Sequence, residues 1–231
     1  MAASVDGKQL ATVSQDSTVF FFTNTADRRF APVGFMELPS PAVSVAWNSK
    51  STMLLVGCSN GQVFEIEKPN PAEVDTSVTF LIDLKCRTYN FVKPEEKKVV
   101  EEGQEGETET DPELENAGDE EEDVGVESFP VCKVLYKSDG SGNFYLAMGG
   151  GAAGFLYECS FEKEGILSKA VSHPNACLDL KYSHSGMYLL SAARDSIRIQ
   201  PSSLGGNFWS SSLHNTATGL VSSVCTSFDD T

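Results

Sequence analysis

From Ser4 to Phe22 the chain reads SVDGKQLATVSQDSTVFFF. A turn of small and polar residues opens it, an apolar run follows, a second turn forms around Asp16, and another apolar run closes it. Short apolar runs bounded by turn formers read as β-strands, so this stretch is a hairpin. The layout recurs in NSKSTMLLVGCSNGQVFEI (48–66), KSDGSGNFYLAMGGGAAGFLYE (137–158) and SHSGMYLLSAARDSIRI (183–199). Aligned on tight turns at Asp16, Asn60, near Ala152 and Asp195, the units stand 44, about 92 and 43 residues apart.

Upstream of three units lies a further strand that alternates apolar and polar residues: AVSVAWNS (42–49), PVCKVLYKS (130–138) and ACLDLKYSHS (176–185). Four short strands repeated every ~40–45 residues are the signature of a propeller blade, and the long middle interval is one period plus an insertion. The expected fold is therefore all-β, a β-propeller of about four blades with strands a to d running outward. In this reading the first blade is partial, lacking its a strand, with a d strand around 32–38. Three full blades follow at about 41–92, 129–172 and 175–215, and 219–230 supplies the a strand of another blade. That terminal strand either closes a four-bladed ring with the N-terminal strands or belongs to a larger propeller of which this chain is a fragment. The fragment is the favoured alternative.

Charge divides the chain. Its formal net charge is −16, yet sixteen acidic residues and only two lysines lie between Glu95 and Glu127, leaving 17 acids against 15 bases elsewhere. The segment EEGQEGETETDPELENAGDEEEDVGVE (101–127) has no helical apolar stripe and buries too little to offset its conformational entropy, so an acidic disordered insertion is expected at 93–128, between propeller segments 1–92 and 129–231. It could steer a basic partner electrostatically. No basic stripe exists to neutralise phosphates, which argues against nucleic acid, and the same sign argument disfavours the acidic tails of tubulin as contacts for this loop. No apolar run is long enough for a membrane helix and no leader is visible, so a cytoplasmic protein without a membrane partner is expected. The six cysteines show no CxxC pairing and sit in contexts such as LLVGC and FLYEC, consistent with reduced thiols filling a core.

The units 4–22 and 183–199 resemble WD40 repeats, a family built on a small-polar turn, an apolar b strand, a small-x-Asp turn and an apolar c strand. The resemblance implies that Asp16 and Asp195 are turn aspartates that hydrogen-bond within the blade, as a side chain placed to accept local N–H groups can. The sequence departs from the family in having no Gly-His at a blade start and no Trp-Asp at the end of a c strand. A narrower resemblance comes from LLVGCSNGQVFEIEKPNPAEVDTSVTFLIDLKCRTYNF (54–91) with the Lys/Glu-rich stretch after it. It is similar to the large cilia- and flagella-associated WD-repeat proteins of the complex that tethers an inner-arm dynein at the doublet microtubule. That likeness implies an axonemal, non-enzymatic scaffold whose partners are axonemal dynein or doublet-microtubule proteins, in a cilium or flagellum.

No catalytic, cofactor-binding or metal residue emerges. GGGAAG (149–154) lacks the GKS/T ending of a phosphate loop and falls on a b–c turn. His173 and His214 fall in connections between blades and His184 in an a–b turn, so they do not converge. No GxSxG elbow is present. The inner strands offer mainly Asp179 with the two lysines Lys133 and Lys181, too little for acid–base chemistry of a propeller enzyme. Trp47 and Trp209 read as packing anchors, with Trp209 the better candidate for a partner contact. The function expected is a protein–protein interaction scaffold. A cytosolic WD-repeat adaptor of trafficking or signalling is the alternative, and an enzyme a more distant one.

Overall fold

The structure is a computed structural model, which describes residues 1–72, 80–90, 130–150, 153–202, 209–212 and 221–227. Among them, four antiparallel sheets of four strands follow one another along the chain. The first comprises β1 (Ala2–Ala3), β2 (Gln9–Val13), β3 (Thr18–Thr23) and β4 (Ala31–Glu37); the second β5 (Ala42–Trp47), β6 (Met53–Cys58), β7 (Gln62–Glu67) and β8 (Cys86–Asn90). The third comprises β9 (Val131–Tyr136), β10 (Phe144–Gly150), β11 (Ala153–Ser160) and β12 (Gly165–His173), and the fourth β13 (Cys177–Tyr182), β14 (Tyr188–Ala193), β15 (Ser196–Pro201) and β16 (Trp209–Ser212). Strand order in space equals order in sequence within every sheet.

Each repeated hairpin of the sequence becomes the central pair of one sheet, with Val13 paired to Val19 across the Asp16 turn and Ala193 to Ser196 across the Asp195 turn. The three upstream segments become β5, β9 and β13. These inner strands are neighbours in succession, β1 against β5, β5 against β9 and β9 against β13.

The apolar runs are continuous rather than alternating because the middle sheets are covered on both faces. On β6, Leu54, Val56 and Cys58 pack into a core shared with Ala11, Val19 and Phe21 of the first sheet. Leu55 points the other way, into a core with Val131, Phe144 and Tyr157 of the third sheet. The period of two along β10 does the same. Phe144, Leu146 and Met148 face the second sheet, while Tyr145 and Ala147 join Cys177, Leu180 and Leu189 of the fourth. A strand with two buried faces has no polar phase to show.

Close approach between sheets is set by small residues at matching places. A Cβ added to Gly57, near the end of β6, would lie 2.5 Å from Val131 Cγ1, and one on Gly149, near the end of β10, 2.5 Å from Ala176 Cβ. The outer edge of β4 is covered as well: Phe35 N donates to Phe80 O at 2.7 Å and Ile82 N to Phe35 O at 2.8 Å, so the 80–82 segment, which precedes β8, lies along the first sheet.

One expectation, and the less favoured of two alternatives, need correction at the ends of the chain. The first sheet is not missing its inner strand, since Ala2 pairs with Ala11 and Ala3 with Leu10. Two residues are too few to carry an alternating pattern, which is why the strand escaped the reading of the sequence. The segment 221–227 forms no ladder with the first sheet, where β1 fills the inner edge beside β2. Instead it lies on the fourth sheet, with Val221 N donating to Arg194 O at 3.1 Å. The acidic insertion 93–128 and His214 lie outside the described residues. So does the centre of the GGGAAG turn, whose flanking residues continue β10 and β11.

Candidate functional site

Polar side chains collect at the seams between sheets. At the seam of the third and fourth, His173 ends β12 and is fully buried. Its Nδ1 lies 2.7 Å from Ser196 Oγ and its Nε2 2.9 Å from Ser191 Oγ. Burial, aided by the nearby Arg198 charge, holds this imidazole down to about 4. A histidine and serines in contact suggest nucleophilic catalysis, but with no solvent access the ring can only bridge β12 to β14 and β15. Asp195 bonds within its own blade: its Oδ2 accepts from Asn175 Nδ2 at 2.9 Å, in the segment leading into β13, and its Oδ1 from Ser196 Oγ at 3.3 Å in the turn. Asp16 behaves as the sequence suggested, its Oδ1 accepting from Thr18 N at 3.0 Å and Thr18 Oγ1 at 2.6 Å.

On the inner strands the structure does bring Asp179, Lys133 and Lys181 together. Asp179 is buried, with Lys133 Nζ at 3.5 Å and Lys181 Nζ at 3.3 Å. Its Oδ2 also accepts from Ser223 Oγ at 2.5 Å and Val224 N at 3.0 Å. Burial works against the charge, but these hydrogen bonds and the two ammonium groups outweigh it and lower the carboxyl below its ordinary value. The group fastens 221–227 to β13. A bond of the same kind occurs two seams earlier, where Val134 N donates to Ser44 Oγ at 3.1 Å. Ser44 and Asp179 are each the third residue of their strand.

Two clefts open at the strand ends opposite the Asp16 and Asn60 turns, one on either side of the 48–53 turn. The first, of about 570 Å³ between the first and second sheets, is lined by Lys8, Gln9, Met53, Glu67, Pro69 and Pro71 among others. The second, of about 250 Å³, lies between the second and third sheets beside Lys50, Glu65, Arg87, Tyr136 and Gly140. At the floor of the second, buried Glu65 pairs with Arg87 and accepts from Tyr136 Oη at 2.7 Å. Burial and the Glu65 charge raise the phenol well above its usual value, and Arg87 spreads over the Phe161 ring at 5.3 Å.

Trp47 is buried and its Nε1 donates to Ala2 O at 3.1 Å, anchoring the second sheet to the first. Trp209 lies on β16, the outermost strand of the fourth sheet. Buried Cys58, Cys159 and Cys177 are free thiols, and desolvation pushes them to about 11, 12 and 12. Among the described residues no three His, Cys, Asp or Glu side chains are grouped to hold a metal. Reading the sequence did not single out Gln9, Glu65 or the buried bridge made by His173. The signal for Glu65 was present, since in QVFEIE it stands in the phase of Val63, the phase that packs on the third sheet.

Comparison with known proteins gives a consistent answer. The chain is similar to cilia- and flagella-associated protein 44. It is 27% identical to the Mus musculus protein over 292 aligned positions, covering 100% of this chain and 16% of the relative. It is 28% identical to the Trypanosoma brucei brucei protein, covering 96% of this chain and 14% of the relative. The chain thus spans under a fifth of the length of these relatives. No family model matches it.

Proposed function

We propose that this chain is part of a WD-type β-propeller serving as a non-catalytic protein–protein interaction scaffold in the axoneme of cilia or flagella, where it helps tether dynein to the doublet microtubule. The observation that carries the reading is similarity along the whole chain to cilia- and flagella-associated proteins from two distant organisms. Four successive four-stranded antiparallel sheets with neighbouring inner strands support the propeller. Such a stack is rigid because each seam is packed and pinned, and it offers its clefts and turns to partners.

A non-catalytic role is supported by how the polar groups are used. His173, Asp179 and Glu65 each spend their polar atoms on neighbouring groups across a seam, as bridges between sheets. The division into propeller segments 1–92 and 129–231 around the acidic insertion 93–128 belongs to the same proposal, with that insertion presenting charge to a basic partner. The test is affinity purification of the tagged native protein from ciliated or flagellated cells, with detergent-resistant axonemes separated from the soluble fraction. Recovery from axonemes with dynein heavy chains and doublet proteins is expected. Recovery only from the soluble fraction, with trafficking or signalling factors, would overturn the axonemal assignment and leave an adaptor.

A further inference from the structure

The turn between β3 and β4 presents an aromatic ring in a backbone conformation that bulky residues avoid. Phe30 has a φ of 52° and is 52% exposed. The left-handed region suits glycine or asparagine, and a phenylalanine adopts it only at a cost. The backbone around the ring is nevertheless fixed. Thr25 N donates to Arg28 O at 2.9 Å and Arg28 N to Thr25 Oγ1 at 3.1 Å. Phe30 N donates to Asn24 Oδ1 at 3.1 Å. Asn24 in turn donates from Nδ2 to Gly7 O at 3.1 Å and from N to Lys8 O at 2.7 Å, which ties this turn to the one between β1 and β2. None of these bonds uses the side chain of Arg28, Arg29 or Phe30.

We propose that this turn is a docking point for an acidic peptide segment of a partner protein. Arg28 and Arg29 would pair with its carboxylates, and Phe30 would pack on an apolar side chain between them. Both arginines are exposed and enter no ion pair among the described residues. Lys8, exposed on the neighbouring turn, adds a third positive charge, and Asp27 is the turn's only carboxylate. The sign of the site therefore calls for an anionic occupant, and guanidinium groups bind carboxylates with two parallel hydrogen bonds. Two arginines beside an exposed ring match the composition of interface cores, which are enriched in arginine and aromatic residues. Backbone strain at an exposed ring that packs on nothing within the fold is of the kind that persists at binding sites. Nucleic acid is the poorer fit, since so short a basic run gives no stripe along which a phosphate backbone could lie.

This inference rests on the scaffold reading and assigns one partner-binding site to it. A labelled poly-glutamate peptide with a central phenylalanine, and its glutamine counterpart, would be titrated with the purified full chain by fluorescence anisotropy. The glutamate peptide should bind the more tightly, and added salt should weaken it. Arg28→Ala combined with Arg29→Ala should reduce its affinity by about tenfold. Phe30→Gly should weaken it about fivefold and yet melt close to the wild-type temperature, since glycine suits the left-handed backbone. Lys163→Ala, on an exposed turn of the third sheet, should bind as the wild type does. Equal binding by Phe30→Gly and wild type, a loss in Lys163→Ala as large as in the arginine variant, or no preference for glutamate over glutamine would overturn the proposal. So would tighter, arginine-dependent binding of a single-stranded oligonucleotide, which would make the turn a nucleic-acid contact. Peptide binding in solution and recovery from axonemes are separate readouts, so either can fail without the other.

Discussion

His173 shows how much one buried ring can contribute. The unfolded chain takes a proton at this imidazole below about pH 6.5, whereas the folded ring takes one only near 4. The stability it contributes is therefore complete above pH 6.5 and drains away as the pH falls towards 4, by about 2 kcal/mol at pH 5. Urea denaturation of wild type and His173→Gln at pH 7 and pH 5 checks this, because the variant should lose that part of the pH dependence. Tyr136→Phe removes the donor to buried Glu65 Oε1 and should cost about 1–3 kcal/mol in the same assay. Neither residue was evident as a bridge in the sequence, for a physical reason. Histidine before a turn reads as a loop residue, and nothing local says that two serines 18 and 23 residues on close around it. Asp16 was readable because its partner Thr18 is two residues away.

Strands and turns were the most legible elements, since hairpins are written in local patterns: apolar run, turn former, apolar run. Legibility failed where an element was too short, as in β1, or where its pairing partner was remote, as in the 80–82 segment beside β4. The close crossings were also hidden, because a glycine in a strand does not announce what lies opposite. Gly57 on β6 has the side chains of Val131 and Val134 within 3 Å of where a Cβ would stand. Gly57→Ala should therefore destabilise the protein by about 1–3 kcal/mol through overpacking. Gly165→Ala, whose nearest neighbour would be Lys163 O at 3.7 Å, should be close to neutral. Thermal denaturation of the pair separates the effect of the crossing from that of removing any strand glycine.

Across the whole molecule, the segment 221–227 is fastened at its centre by one carboxylate, between Val221 N on Arg194 O and His184 N on Thr226 Oγ1. Asp179→Ala removes the acceptor of Ser223 Oγ and Val224 N and leaves Lys133 and Lys181 facing a gap, so the Val224 amide should lose its protection in hydrogen exchange while the β6 amides keep theirs. Unchanged protection at Val224 would show that other contacts hold the segment. The succession of sheets could be read from the period, but which surfaces they share could not. The doubly covered strands β6 and β10 have a consequence of their own. Each middle sheet borrows half of its interior from the one before and half from the one after, so the chain resembles a row of coupled spins more than a set of independent beads. Damage at Phe144 or Leu55 would then be felt on both sides of a seam.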